Sequence, residues 1–156
     1  MSESKTKLIL VCGLPGSGKT TLSRKLAQEI PAIRFCPDEW MQDLGVSLWD
    51  GEFRDNLEGR FWKLGKELLG LGQSVILEYG FWAKSERDDK LDAGRALGVG
   101  VELHFLDPSV EELKARLEKR GMEGDVELVE KVEEYSEKLE RPDANELSRY
   151  DNHLAE

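Results

Sequence analysis

The sequence predicts an α/β fold: a parallel sheet with helices on both faces. Three observations predict it. Apolar runs recur near residues 7–12, 32–36, 75–77 and 99–106, and stretches of helical spacing separate them. The first run, Leu8-Ile9-Leu10-Val11-Cys12, shows no polar alternation, as a strand buried on both faces requires. It leads into Gly13-Leu14-Pro15-Gly16-Ser17-Gly18-Lys19-Thr20, a G-x-x-x-x-G-K-T loop, and then into a helix-forming run. At 156 residues the chain is expected to be one domain, 1–156, with a sizeable core.

Each element has its own signal. The helix after the glycine loop runs to about Glu29 and stops at Pro31. A short strand, Ala32 to Cys36, ends at Pro37-Asp38-Glu39-Trp40. Met41 to Asp50 reads as a loop or short helix, whose Leu44, Val46, Leu48 and Trp49 suit a substrate-side wall or core packing. Glu52 to Leu71 reads as a long helix with Phe53, Leu57, Phe61, Leu64 and Leu68 on one core-facing stripe. Val75-Ile76-Leu77 is a central strand followed by Glu78 and an aromatic loop, Tyr79-Gly80-Phe81-Trp82, that floors a pocket or covers the core. Ser85 and Asp88 have the spacing of a capping box for the next helix, which ends near Gly98.

Val99 to Leu106 is the fourth strand, and His104 within it reads as an ordinary strand histidine. Ser109 and Glu112 form a capping box for a helix carrying Arg116 and Arg120, four apart and on one face. Gly121 to Gly124 breaks that helix, and Asp125 is placed to cap another that runs to about Glu140. The helix, glycine break and helix over about 116–140 suit a lid. Residues 141–156 show little pattern and suit either a short edge strand or a frayed end.

The charge balance narrows the partners. Thirty-two Asp and Glu against 22 Lys and Arg give a formal net charge of -10, which disfavours a long nucleic-acid track. Cys12 and Cys36 read as buried thiols, and no Cys/His spacing suggests zinc. The polar start offers no signal peptide and no run is long enough to span a membrane, so a cytoplasmic protein is expected.

The glycine loop is a P-loop, and its chemistry follows from its parts. A strand–loop–helix unit aims the N–H groups of Gly13 to Thr21 at one point, where the helix N-terminus adds partial positive charge. Lys19 can reach the β- and γ-phosphates of a nucleotide, and the Thr20 hydroxyl can take a Mg²⁺ position. Glu78, at a strand's carboxyl end, is placed to assist Mg²⁺ through water. Asp38 lies at the sheet edge where ligands of such folds bind, as a general base for a hydroxyl acceptor or as a helix cap. Arg116 and Arg120 can neutralise charge from the lid side. The set describes a kinase more fully than a GTPase or a motor.

These residues resemble the small P-loop kinases of the AAA-type ATPase/zeta-toxin-like family, which is related to chloramphenicol phosphotransferase and the kinase half of polynucleotide kinase. The resemblance rests on Gly13 to Thr20, Pro37 to Trp40, Val75 to Trp82 with Glu86-Arg87-Asp88, and the Leu113 to Arg120 helix. It implies a three-layer P-loop NTPase fold with strand order 2-3-1-4, a fifth strand from the tail, and a small helical lid. It implies ATP and Mg²⁺ as cofactors, Asp38 as catalytic base, and Arg116 and Arg120 on the nucleotide. The family usually has Asp where this chain has Glu78.

The expected function is therefore ATP-dependent phosphorylation of a small-molecule hydroxyl on an antibiotic, sugar or other metabolite. The aromatic set Trp40, Trp49, Phe81 and Trp82 suits a partly apolar acceptor. Two alternatives stand beside it: a kinase for 5′-hydroxyl nucleotide or polynucleotide ends, and a nucleotide-binding ATPase or switch in which Asp38 only caps a helix.

Overall fold

A computed structural model describes residues 6–122 and 124–155. The polar start at 1–5 and Glu123 of the glycine break lie outside the described residues. The elements run β1 (Lys7–Gly13), α1 (Lys19–Glu29), β2 (Ala32–Phe35), α2 (Pro37–Asp43), α3 (Gly51–Gly70) and β3 (Ser74–Gly80). They continue with α4 (Lys84–Ala96), β4 (Gly100–Leu106), α5 (Val110–Arg120), α6 (Asp125–Lys138), α7 (Ala144–Ser148) and β5 (Asn152–Ala155). The five strands form one parallel sheet in the order β2-β3-β1-β4-β5, the expected order with the tail as fifth strand.

The sheet's two faces are unequal. On one, Ile9, Val11 and Ile76 meet Leu22, Leu26 and Ala27 of α1. On the other, Leu8, Leu10, Cys12, Val75, Leu77, Val101 and Leu103 join a larger core with Phe61, Leu69, Leu91, Leu113 and Val132 from four helices. Residues Leu8 to Cys12 are all fully buried, which explains a run without polar alternation. The β1–β3 register shifts between Leu10 and Cys12, so Cys12 pairs with Gly80 where the glycine loop begins.

Several expected caps fall elsewhere. Cys36 is the N-cap of α2 and Pro37 its first residue, so Asp38 is not the cap. Proline's fixed φ suits the first helical position, which starts the helix before Asp38. The cap of α4 is Ala83, with no side-chain hydrogen bond, and the Ser85–Asp88 spacing lies inside the helix. Asp88 instead pairs with Lys84 at 2.7 Å and Arg149 at 2.9 Å. Gly124, in the left-handed region at φ 82°, caps α6, and Asp125 is its first residue. The Asp125 carboxylate reaches back to accept from the Met122 N–H at 2.9 Å. Asp50 and Ser109 cap α3 and α5 through their side chains.

The tail is better ordered than its composition suggests. Glu146 of α7 is buried and pairs with the buried Arg87 of α4, at 2.6 Å from Nε and 2.9 Å from Nη2. β5 then pairs with β4. His104 is held within its strand: its ring lies 3.1 Å from Glu102 Oε1, and Lys7 pairs with the same carboxylate at 2.8 Å. The His104 hydrogen bond, helped by Lys7, outweighs burial and holds Glu102 at about 2. Cys12 and Cys36 are free and buried, and burial raises both thiols, Cys36 to about 12. Among the described residues, no helix is long and apolar enough to cross a membrane.

Candidate active site

The site sits at the carboxyl edge of the sheet, where β1 turns into α1. Gly13 (φ 152°) and Gly18 (φ 99°) adopt backbone that L side chains resist. A Cβ at Gly13 would come within 2.8 Å of the Leu106 carbonyl, so the turn also lacks room for one. The loop closes with Ser17 N–H donating to Leu14 O at 3.1 Å. Lys19 folds back over it and donates to the carbonyls of Gly13 at 3.0 Å and Leu14 at 3.2 Å. Burial lowers the Lys19 pKa, while the carboxylates of Asp38 and Glu78 act to raise it. Ser17 Oγ is buried without a hydrogen-bond partner among the described residues. Pro15 and Gly16 lie half-buried on the loop's crest, and Thr21 is exposed.

Glu78 anchors the other side. Its carboxylate accepts from the Thr20 hydroxyl at 2.6 Å, from Ser23 Oγ, from Arg34 Nη1 at 2.9 Å and from Cys36 Sγ at 3.2 Å. Arg34 also grips Glu39 at 2.6 Å, and Arg24 reaches the same carboxylate at 3.0 Å. Thr20 uses its proton on Glu78 and keeps its oxygen lone pairs for a cation. A hydroxyl backed by a carboxylate fits Mg²⁺, which favours oxygen ligands and draws the rest from phosphates and water. The Arg34 contact and the hydrogen-bond load on Glu78 favour a role behind the metal rather than on it. Among the described residues, no group of three or more His, Cys, Asp and Glu could hold a metal by itself.

Asp38 projects from the first turn of α2, and its Oδ1 accepts from Arg54 Nη1 of α3 at 2.5 Å. Arg54 is itself fixed to the Leu48 carbonyl at 2.9 Å. No other hydrogen bond to the Asp38 carboxylate occurs among the described residues, and its side chain is 54% exposed. Arg54 was not legible as a site residue. Sixteen positions separate it from Asp38, and an arginine on an amphipathic helix carries no signal of its own.

The predicted lid arginines diverge. Arg116 lies over the P-loop and donates to Ser17 O at 3.1 Å and Gly16 O at 3.3 Å. Arg120 turns to Asp125, forming two bonds at 2.9 and 2.7 Å that raise its pKa. Trp49 touches the break between the two helices: a Cβ on Gly124 would lie 2.6 Å from its indole nitrogen. Lys131 of α6 stands 4.8 Å above the Trp49 ring. The aromatic loop divides as well. Trp82 packs on Tyr135 of α6 at 4.9 Å, whereas Tyr79 and Phe81 line a cavity beside α3.

A family model of the AAA domain matches residues 8–142. No curated protein matches the chain. Among solved structures it resembles Chaetomium thermophilum Kti12 in complex with ADP-AlF3, with a TM-score of 0.70 and 22% identity over 95% of this chain and 88% of that one. It also resembles the Mycobacterium tuberculosis APS kinase CysC in complex with AMPPNP and APS, at TM-score 0.65 and 20% identity over 98% and 90%. A third similar chain belongs to the Pnkp1/Rnl/Hen1 RNA repair complex, at TM-score 0.67 and 21% identity. This chain is covered there over 89% of its length but spans only 48% of that chain. At these identities the likeness is one of fold.

Proposed function

The chain belongs to the AAA domain family, and from that premise we propose that it is an ATP-dependent phosphotransferase acting on a hydroxyl of a small molecule. One observation carries the reading. Asp38 stands exposed in the first turn of α2, two residues after Cys36, whose thiol meets the Glu78 carboxylate that also holds Thr20 of the phosphate loop. A base beside a phosphate cradle is what transfer to an alcohol needs.

In this reading Lys19 leaves the Gly13 and Leu14 carbonyls for the β- and γ-phosphates of ATP. The buried Ser17 hydroxyl and the N–H groups of Gly16, Gly18, Lys19 and Thr20 take phosphate oxygens. Thr20, with Glu78 behind it, would hold Mg²⁺, which neutralises phosphate charge when bound. The acceptor oxygen forms a bond to the γ-phosphorus as its proton passes to Asp38, and the bond to the β-γ bridging oxygen breaks to release ADP. Arg54 orients Asp38 by holding one oxygen, leaving the other for the acceptor. Arg116 neutralises charge above the loop, and Arg120 joins it on leaving Asp125.

The test is a mass-spectrometric screen of hydroxyl-bearing metabolites and antibiotics with ATP and Mg²⁺, wild type beside Asp38→Asn. A phosphate added by wild type alone supports the reading. ADP release with no phosphorylated product, equal in both proteins, overturns it in favour of an ATPase or switch. The Arg54–Asp38 ion pair is the observation favouring that second reading, since it also gives Asp38 a purely structural partner.

A further inference from the structure

At the carboxyl end of β3 a cavity of about 220 Å³ opens between α3 and α4. Trp62, Tyr79 and Phe81 supply its aromatic walls, and Asp55, Glu58, Glu86 and Lys90 its charges. The walls are firmly held. Tyr79 donates to the Glu58 carbonyl at 3.0 Å, and Arg87 fixes the Phe81 carbonyl at 2.9 Å. Among the described residues, none of the three carboxylates makes a side-chain hydrogen bond or ion pair. Lys90 only partly balances them, because its ammonium is bonded to Asp89 at 3.0 Å.

The aromatic wall already shows its preference. The Lys90 ammonium lies 5.1 Å from the Trp62 ring centroid, and Lys66 stands 5.6 Å from the same ring. Both are within cation–π range. Unpartnered carboxylates and ring faces together suit a soft organic cation better than a metal ion, which needs converging oxygen ligands.

The cavity also connects with the reaction centre. Arg54, which holds Asp38, and Glu58 are four apart on α3 and so share a face. Trp40, two residues after Asp38, packs edge-on to Phe61 at 5.0 Å. Phe61 stacks on Tyr79 at 6.5 Å, and Tyr79 on Phe81 at 5.2 Å. Ring contacts thus run from Trp40, two residues from the candidate base, through the buried Phe61 to the cavity's aromatic wall. Resting on the phosphotransferase reading, we propose that this cavity is the acceptor's specificity subsite and takes an alkylammonium group, so that the phosphorylated alcohol is an amino alcohol.

The electrostatics agree. Burial raises Glu58 to about 7; Asp55 and Glu86 add to the rise, while Arg54 and Lys90 oppose it. An arriving cation compensates the charge that burial penalises. Tyr79 completes the groups that face Glu58, and burial keeps its hydroxyl protonated well above neutral pH.

Binding is tested without ATP, so it is separate from transfer. The probes are choline and its neutral isostere, in which a quaternary carbon replaces the nitrogen. The readout is the Trp62 indole N–H resonance, assigned with Trp62→Phe. Choline should shift it saturably and the isostere should not. Glu58→Gln, checked for a retained cooperative thermal unfolding transition, should weaken choline binding about fivefold or more at about pH 8. In wild type the affinity should rise severalfold from about pH 6 to about pH 8 as Glu58 ionises, and stay flat in Glu58→Gln. Equal responses to both probes, no response to either, or wild-type affinity in Glu58→Gln overturns the subsite. Choline binding that persists in Lys19→Ala supports it independently of transfer, while transfer absent from wild type in the hydroxyl screen overturns only the phosphotransferase reading.

Discussion

Replacing Glu146 by alanine should destabilise the protein more than most single substitutions. Arg87 has no exposed side-chain surface and Glu146 only 1%. The guanidinium is satisfied by Glu146 at 2.6 and 2.9 Å and by the Phe81 carbonyl at 2.9 Å. Glu146→Ala removes two of these bonds and leaves a charge that arginine cannot shed. Breaking a buried pair from one side costs about 3–5 kcal/mol. For a chain of this size each kcal/mol moves Tm by about 2–4 °C, so Tm should fall by about 6–20 °C. Removing both charges, in Arg87→Met with Glu146→Leu, should recover most of that, because no lone charge remains. The double variant still loses the bond to Phe81, the one non-glycine residue with positive φ among those described, at 49°. Thermal and urea unfolding of wild type and the variants measure the effect. A single-variant loss under about 1 kcal/mol, or a double variant no better than the single, would refute the reasoning.

Other outcomes follow from the site and its surroundings. Lys19→Ala should abolish nucleotide-dependent turnover, measured as ADP release; full activity would remove the P-loop lysine from the mechanism. Asp38→Asn should leave nucleotide affinity unchanged in calorimetry but slow transfer by about 10²–10⁴-fold. Unchanged transfer would reduce Asp38 to a partner for Arg54. Glu102, held at about 2 against a usual 4.5, adds stability above the usual value that is lost as pH falls from about 4.5 towards 2. Glu102→Gln should flatten that acid limb in urea titrations. Glu58 has the opposite sign: with its pKa raised to about 7, its favourable contribution is complete below 4.5 and is lost as pH rises through 7. Glu58→Gln should therefore gain about 1–3 kcal/mol relative to wild type between pH 5 and pH 8, a range discounted for partial exposure. An identical pH dependence in both proteins would contradict it.

Local pattern carried the reading as far as local physics reaches. The G-x-x-x-x-G-K-T spacing placed Lys19 and Thr20, and the run Leu8 to Cys12 marked the central strand. The apolar stripe of α3 and the box at Ser109 and Glu112 were equally legible, because a helical period or a cap joins residues three or four apart. Caps were the weak point. Proline at 37 started α2 two residues earlier than a cap at Asp38 would, and α4 began without a side-chain cap. The last segment left an edge strand and a frayed end both open, because α7 and β5 are short, and burial against Arg87 and β4 stabilises them rather than any periodicity of their own.

By itself, then, the sequence determined the class of fold, the phosphate loop and the acidic groups beside it, all properties of neighbouring residues. Only the tertiary structure decided what those groups touch. It brought Arg54 onto Asp38 across 16 positions and Ser23, Arg34 and Cys36 onto Glu78 across 55, 44 and 42. It sent Arg116 to the loop but Arg120 to Asp125, although one helical face carries both. It also gathered Asp55, Glu58 and Glu86 around one aromatic cavity. The physical reason is that long-range pairing is set by how helices pack on the sheet, and a charged residue's partner across that packing leaves no trace in its own stretch of chain.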